Sequence, residues 1–249
     1  MPPNDIIDSA VCLPAVQGVL QADAWLALAE RWGIRHSIAA PTDEFVAVYN
    51  DEGNAQLAET VRRHPERLSA LAVANPWYGP RAVETLRRAF DLGFVGLYLH
   101  PGRQGFHLTD SILDPLIQLC VERGKPVYAY TGTPICAEPF QLAELARRFP
   151  AATFVMGHMA WSDFCGYDVI PAARQADNIV LETSCSTSGM VKLAIDAVGP
   201  RRVLFGSGFP RSRPSHEFEK LKHLALPPDQ LDLYLHENAR RVWKLSKNP

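Results

Sequence analysis

The sequence lacks the features that mark several large classes of protein. No apolar run approaches the roughly 18 residues of a membrane-spanning helix, and no basic stretch precedes an apolar one at its start. Its 25 Lys and Arg residues are balanced by 27 Asp and Glu residues. A protein that neutralises nucleic-acid phosphates needs a basic excess, which is missing here. We therefore expect a soluble protein that binds neither nucleic acid nor a membrane.

Cysteine pairs with CxxC spacing are also absent. The five cysteines are scattered along the chain: Cys12, Cys120, Cys136, Cys165 and Cys185. An odd, scattered set without a signal peptide is typical of reduced thiols and not of a disulfide framework. The sequence therefore predicts a cytoplasmic protein.

What the sequence does contain is a regular alternation of two kinds of segment. Hydrophobic residues make up 47% of the 249 positions, enough for a large core. Short β-branched or aliphatic runs predict eight strands, at residues 5–13, 34–40, 68–74, 95–99, 126–130, 153–157, 179–183 and 203–205. Stretches with helical apolar spacing follow each run, at residues 22–32, 53–63, 81–92, 111–123, 138–148, 167–174, 188–198 and, after the last, 215–224 and 228–235.

Eight strand–helix units with no linker between them predict an α/β fold of the (β/α)8 TIM-barrel type, with a single domain over residues 1–249. An open, doubly wound sheet is the competing fold. The phosphate-binding pattern GxGxxG, which many such sheets carry after the first strand, is absent here. The barrel is therefore favoured.

In a barrel of this type the chemistry lies at the C-terminal ends of the strands and in the loops that follow them. Those positions supply a set of candidate site residues: Cys12, His100, Tyr128, Tyr130, His158, Glu182, Ser184, Ser207 and Arg211. Alternation along a strand places Tyr128 and Tyr130 on one side, and Glu182 with Ser184 on one side. We expect all nine to lie in or near one pocket.

Several of these candidates have two open interpretations. His158 is either a general acid or base or an inert, hydrogen-bonded histidine. Tyr130 either fills space or contacts a ligand, and His100 either lines the pocket or forms a turn. Glu182, facing the interior, is either a pocket residue or the partner of an arginine. Arg211, with Arg213 nearby, either binds an anionic ligand or belongs to a solvated basic turn.

Six segments, in order, resemble one known family. They are IIDSAVCL, GFVGLYLHPG, GKPVYAYTGTP, RRFPAATFVMGHMAW, RRVLFGSGFP and ENARRVWKL. The chain resembles, over nearly its whole length, the amidohydrolase-related barrels, in the branch that includes aminocarboxymuconate semialdehyde decarboxylase. The resemblance implies a site with a divalent metal, usually zinc. Its ligands are an HxH pair on the first strand, a histidine after the fifth and an aspartate after the eighth, with a further histidine after the sixth.

Only one of these five family positions keeps its residue. The resemblance places the HxH pair at Ala10 and Cys12, the fifth-strand histidine at Tyr130 and the aspartate at Gly208, whereas His158 matches. No local shift of the alignment restores the ligands, because no histidine precedes His36 and none lies between positions 107 and 158. We therefore expect no metal or other cofactor. A site with unusual ligands, Cys12 and His158 with His100 or Glu182, stays open as an alternative.

Three functions remain in view. The leading one is a pseudoenzyme that has lost the metal-dependent hydrolase or decarboxylase chemistry and binds a ligand, such as a small carboxylate, or regulates a partner. The second is a metal-independent hydrolase or lyase acting on a small carboxylate or lactone, with His158 as acid or base. The third is a metalloenzyme with the unusual ligands. A homodimer, or a complex with an intact relative, is also expected.

The shape of the pocket separates the first two functions. The pseudoenzyme hypothesis predicts a pocket filled by Tyr128, Tyr130 and Met156 or Met159. An enzyme requires an open cleft with converging polar groups.

Overall fold

The eight predicted strands form one parallel barrel. The computed structural model describes residues 5–161 and 165–246. The strands neighbour one another in sequence order: β1 Ile6–Cys12, β2 Ile34–Ala40, β3 Leu68–Val73, β4 Gly96–Leu99, β5 Val127–Tyr130, β6 Phe154–Gly157, β7 Ile179–Glu182 and β8 Val203–Leu204. The (β/α)8 fold predicted from the sequence is confirmed.

The first and last strands meet, so that the sheet nearly closes on itself. The backbone N–H of Ser9 donates to the carbonyl oxygen of Phe205 at 3.0 Å, and that of Cys12 donates to Phe209 at 2.8 Å. Val11 and Phe209 form an isolated parallel bridge. Because no long sheet edge is left open there, the strand ends form a ring that can surround a ligand.

Helices surround this sheet. They are α1 Asp23–Arg31, α2 Asp43–Ala47, α3 Asn50–Arg63, α4 Pro80–Asp91, α5 Pro101–Gln104, α6 Asp114–Arg123, α7 Pro139–Arg148, α8 Val169–Ala173, α9 Ser188–Val198, α10 Pro214–Leu224, α11 Pro228–Asp232 and α12 Asn238–Trp243. Sequence reasoning missed α2 and α5, whose five and four residues are too short to show a helical period. It also missed a small hairpin, Ala15–Val16 with Val19–Leu20. None of the helices in the described ranges is long and apolar enough to cross a membrane.

The core has two layers. One lies between the sheet and the helices, and the other fills the barrel interior with side chains from every strand. The N-terminal end of the barrel is closed by Trp243 of α12, whose ring lies beside Gly96 at the start of β4. Its indole N–H donates to Oγ of Ser9 at 3.2 Å. The opposite end of the interior is therefore the end that is left for a site.

Candidate functional site

A cavity of about 460 Å³ opens at the C-terminal ends of the strands. Six of the nine candidate residues line it: Cys12, His100, Tyr128, Tyr130, His158 and Arg211. All five positions that the resemblance assigns to the family's site also line it: Ala10, Cys12, Tyr130, His158 and Gly208. Most of the candidates therefore share one cavity, although the sequence did not show how the residues within it interact.

The expected filling of the pocket is wrong. Tyr128 and Tyr130 form part of its wall, and the space beside them stays open. Met156 packs in the outer layer because it follows Val155 on β6, and alternate side chains of a strand point to opposite faces. Met159 also belongs to the outer layer. The cavity is thus large enough to hold a small molecule.

Aromatic rings from β4, β5 and the end of β6 form one wall of the cavity. Tyr98 stacks on Tyr128 with the ring centroids 5.4 Å apart, and His100 stacks on Tyr130 at 3.9 Å. The ring of His158 packs edge-on against Tyr128 and Tyr130, with ring centroids 6.1 and 4.7 Å apart. Sequence reasoning missed Tyr98, although its position two residues before His100 on the same strand indicates the same face.

Glu182 lies behind this wall and holds it in place. Its side chain is fully buried. It accepts hydrogen bonds from the Tyr128 hydroxyl at 2.8 Å, the His158 backbone N–H at 2.9 Å, and the N–H and Oγ of Ser184 at 2.6 and 3.0 Å. The sequence left Glu182 as either a pocket residue or the partner of an arginine. It is not among the lining residues, and among the described residues its partners are these donors and no arginine.

The ring of His158 is fixed and uncharged. Its Nδ1 lies 2.5 Å from Oγ of Ser184, and its Nε2 lies 3.4 Å from the Tyr128 hydroxyl. Burial lowers the pKa of His158 to about 4, and the positive charge of Arg211 acts in the same direction while Glu182 opposes it. At pH 7 this histidine is therefore neutral and carries one ring N–H. Since the hydroxyls of Ser184 and Tyr128 both donate to Glu182, only the protonated ring nitrogen of His158 forms a hydrogen bond here, as a donor.

The backbone that carries His158 is in an unusual conformation. His158, Met159 and Ala160 have φ values of +63°, +43° and +48°, in the left-handed region that non-glycine residues rarely adopt. Glu182 accepts the His158 N–H, and Thr131 Oγ1 accepts the Ala160 N–H at 3.1 Å. Strain that is held in place by specific contacts is common at binding and catalytic sites.

His100 contributes a second neutral imidazole to the cavity wall. It is 8% exposed, and within the described part of the chain its Nδ1 has no hydrogen-bond partner. Burial lowers the pKa of His100 to about 3, and the nearby Arg103, His158 and Arg211 lower it further. His100 therefore lines the cavity with an unused polar atom and no charge.

Charged side chains lie at the mouth of the cavity. The guanidinium of Arg211 lies over two rings, 5.0 Å from the centroid of Tyr130 and 4.8 Å from that of Trp161. Arg103 forms a 2.8 Å ion pair with Asp43. Arg103 lies in α5, and Asp43 lies in α2 with the adjacent Glu44, which also lines the cavity. They were missed because these two helices are too short to be predicted from the sequence.

The two remaining candidates, Ser184 and Ser207, lie beneath the cavity and are not among its lining residues. The Ser207 N–H donates to Oδ1 of Asp8 at 2.9 Å, and Oγ of Ser207 accepts the Phe209 N–H at 3.2 Å. Asp8 is fully buried, and burial raises its pKa to about 7. The sequence gives one indication of this unusual carboxyl group, because Asp8 occurs within the apolar run of β1.

The side chains present do not fit the metal of the family. Burial raises the pKa of the Cys12 thiol to about 11 and raises that of Tyr130, so both resist the deprotonation that metal binding needs. Gly208 offers no side-chain donor, and its φ is +66°. Within residues 5–161 and 165–246, no group of three or more His, Cys, Asp and Glu side chains is placed to hold a metal ion.

The fold is shared with solved barrels of low sequence identity. An uncharacterised TIM-barrel protein from Bordetella bronchiseptica is 20% identical, with a TM-score of 0.79 and coverage of 96% of this chain and 98% of that one. A 5-carboxyvanillate decarboxylase from Sphingomonas paucimobilis is 16% identical, with a TM-score of 0.80 and coverage of 97% and 99%. A 2,6-dihydroxybenzoate decarboxylase from Rhizobium is 20% identical, with a TM-score of 0.74 and coverage of 98% and 99%.

A search of curated proteins gave no match. The sequence does match a family model, described as Amidohydrolase, over residues 23–245. This range begins in α1 and extends beyond α12, so it includes seven of the eight strands. The family resemblance of the sequence segments is confirmed, and the chain belongs to the amidohydrolase family.

Proposed function

We propose that this amidohydrolase-family barrel binds a small organic molecule in its cavity and has lost the metal-dependent hydrolase or decarboxylase chemistry of its relatives. The proposal rests on one observation, namely which residues occupy the five positions of the family's metal site. They all line an open cavity, yet they offer a protonated thiol, a phenol and a neutral imidazole in place of a ligand set for zinc.

Ligand binding is supported by the size and composition of the cavity. A volume of about 460 Å³ lies within the range of ordinary small-molecule pockets, roughly 300–1,000 Å³. Its wall combines stacked rings with the unused Nδ1 of His100 and the guanidinium of Arg211. Apolar faces with a few polar groups are typical of sites that orient one ligand.

The competing function is metal-independent catalysis with His158 as acid or base. It requires an open cavity, which is present, whereas the filled pocket expected of a pseudoenzyme is wrong. The state of His158 nevertheless gives catalysis less support. A general acid or base works best when its pKa lies near the working pH, and the pKa of His158 is about 4. Such a group holds no proton to donate at pH 7 and is a weak base. Its two ring nitrogens also lie against buried side chains, Nδ1 at 2.5 Å from Oγ of Ser184 and Nε2 at 3.4 Å from the Tyr128 hydroxyl.

Two solved barrels of the same fold suggest the first compounds to test. One is a decarboxylase of 5-carboxyvanillate and the other of 2,6-dihydroxybenzoate. Both compounds are small aromatic carboxylates, and either would fit a cavity of this volume. We therefore choose them as probes for binding and for turnover by this chain.

The experiment combines metal analysis, binding and turnover on untagged protein that was never exposed to chelator. We expect less than 0.1 metal per chain, no decarboxylation of either probe with added Zn²⁺ or Mn²⁺, and calorimetrically measurable binding. Thr42→Trp, which inserts a ring into the cavity mouth, should abolish binding. The control Leu92→Trp lies on the exposed outer surface and should not.

Two results would overturn the proposal. One is stoichiometric metal together with metal-dependent turnover. The other is metal-free turnover that His158→Gln abolishes, which would establish the competing function. Binding that Thr42→Trp leaves unchanged would place the ligand elsewhere.

Association with a second copy or with an intact family member stays a separate prediction. Sedimentation velocity tests the first, and co-purification with a relative that keeps the HxH pair tests the second. The cytoplasmic location predicted from the cysteines is likewise a proposal, which fractionation of cells would test.

A further inference from the structure

Four charged side chains line the cavity, and two of them, Arg103 and Arg211, are cations. Arg103 is neutralised by Asp43 at 2.8 Å, and both lie at the exposed mouth. Arg211 has no carboxylate within 4.0 Å among the described residues, since no ion pair there includes it. Glu44, the fourth, is exposed to solvent, as Arg211 is, and no ion pair between described residues includes it either. Within residues 5–161 and 165–246, Arg211 is thus the lining cation that has no ion-pair partner.

The guanidinium of Arg211 is held in one orientation by ring contacts. It lies over Tyr130 and over Trp161, and the ring of Tyr130 in turn stacks on His100. A guanidinium whose face rests on aromatic rings keeps its N–H edge available for hydrogen bonds. Little side-chain freedom is then lost when an anion binds, so the arginine is preorganised for a carboxylate.

The charge of Arg211 also acts on the family's metal-site positions. At Cys12 it partly opposes the burial that raises the pKa of the thiol. At His158 and His100 it adds to the burial that lowers the pKa of the imidazole. Arg211 lines the same cavity as these residues, three positions after Gly208. The arginine therefore supplies positive charge beside a site whose usual cation its residues do not fit.

We infer that the ligand of this cavity carries one carboxylate group and that Arg211 binds it. This inference rests on the proposed function and names the chemical class of its ligand. One free cation matches one negative charge, whereas a dianion such as a phosphate monoester would add unpaired charge near Glu44 and the buried Glu182. His100, with its unused Nδ1, supplies a neutral hydrogen-bonding partner in the same wall.

The test compares three probes of similar shape: benzoate, its neutral amide benzamide, and phenyl phosphate. Calorimetric titrations use the full chain at pH 7 and 50 mM salt. We expect benzoate to bind at least fivefold more tightly than benzamide or phenyl phosphate. Arg211→Met should weaken benzoate binding at least fivefold and change benzamide binding less than twofold.

The matched control is Arg213→Met, which removes the same charge from the same loop at a residue outside the cavity lining. It should change benzoate binding less than twofold, which separates direct binding from the overall charge of the protein. Arg211→Lys keeps the charge and loses the planar fork, so its benzoate affinity should fall between those of wild type and Arg211→Met.

Equal loss of benzoate binding in Arg211→Met and Arg213→Met would overturn the inference, as would equal binding of benzoate and benzamide by the wild type. If phenyl phosphate binds more tightly than benzoate, the ligand carries a phosphate group and the carboxylate inference is wrong. These outcomes leave the proposed function standing when Thr42→Trp still blocks binding. If no probe shows binding that Thr42→Trp blocks, both the proposed function and the inference are overturned.

Discussion

The hydroxyl of Tyr128 donates a 2.8 Å hydrogen bond to Oε2 of Glu182, which connects β5 to β7 across the intervening β6. Both side chains are buried, with exposures of 1% and 0%. A carboxylate inside a barrel is stable only when donors replace the water it has lost. This contact therefore stabilises the wall of the cavity as well as one pair of residues.

Tyr128→Phe should lower the free energy of unfolding by about 2 kcal/mol, because it removes one charge-assisted hydrogen bond from a buried carboxylate. Urea denaturation measures the change. Tyr78→Phe is the matched control, since its hydroxyl donates to the Val48 carbonyl at the surface and its loss should cost less than about 0.5 kcal/mol. Equal effects of the two substitutions would contradict the role assigned to Glu182.

Gly206→Ala tests the same carboxylate from its other side. An added Cβ at this position would overlap Oε1 of Glu182 and lie 2.8 Å from Cβ of Ala10. We expect a loss of about 2–4 kcal/mol in the free energy of unfolding, because the buried carboxylate must move from its donors. Gly166→Ala has no atom within 4 Å of its Cβ and should change the stability by less than about 1 kcal/mol. A tolerated Gly206→Ala would show that Glu182 is mobile.

The lowered pKa of His158 makes a pH-dependent contribution to stability. Its value is about 4 in the folded protein and 6.5 in a model peptide. Between these pH values the unfolded chain binds a proton that the folded chain does not, so the contribution is complete above pH 6.5 and decreases as the pH falls toward 4. The stability difference between wild type and His158→Gln should therefore decrease by about 3 kcal/mol from pH 7 to pH 4.

Chemical denaturation at several pH values measures this difference, and the His158 ring resonance in NMR measures its titration directly. A resonance that titrates near pH 6.5 would contradict the buried, neutral state. It would also restore His158 as a candidate acid or base.

Asp8 should have the opposite effect on how the free energy of unfolding depends on pH. Burial raises its pKa from 3.8 to about 7, so the folded chain holds a proton that the unfolded chain has released between those values. Stability from this group is therefore lost as the pH rises from about 4 to 7, by about 4 kcal/mol at most. Asp8→Asn keeps an oxygen to accept the N–H groups of Ala10 and Ser207 and removes the titration.

Denaturation of Asp8→Asn and wild type across pH 4–8 tests this effect. The stability of the variant relative to wild type should increase with pH over that range. A constant difference would show that Asp8 keeps an ordinary pKa. Because His158 and Asp8 have opposite effects, each substitution has to be compared with wild type and not read from the wild-type profile alone.

The sequence predicted the barrel well because burial on both faces imposes a plain pattern on parallel strands. The bounds of β2, Ile34–Ala40, and of α9, Ser188–Val198, are those that the apolar spacing indicates. Cavity residues on strands were found by the same reasoning. Cys12, Tyr128 and Tyr130 could be placed because a strand end and its alternation fix the side that each residue faces.

Residues whose role depends on contacts between distant segments could not be placed in this way. Arg103 of α5 and Asp43 of α2 are 60 residues apart in the chain, and no local pattern predicts their ion pair. The burial of Glu182 followed from its strand, but its partners lie on β5 and at the end of β6, which only the closed barrel brings together. Sequence reasoning therefore identified residues of the cavity wall and Arg211, and the structure added the ion pair at the mouth and the partners of Glu182.

Trp243 closes the barrel from a position 234 residues after its partner Ser9. During synthesis on the ribosome, β1 leaves the exit tunnel long before the helix that seals the interior beneath it. Until residue 243 has emerged, the apolar interior of the nascent barrel stays accessible to water at its N-terminal end. Completion of the barrel therefore requires residue 243 to have emerged, and a chain that stops before it leaves an open barrel for the cell's chaperones and proteases.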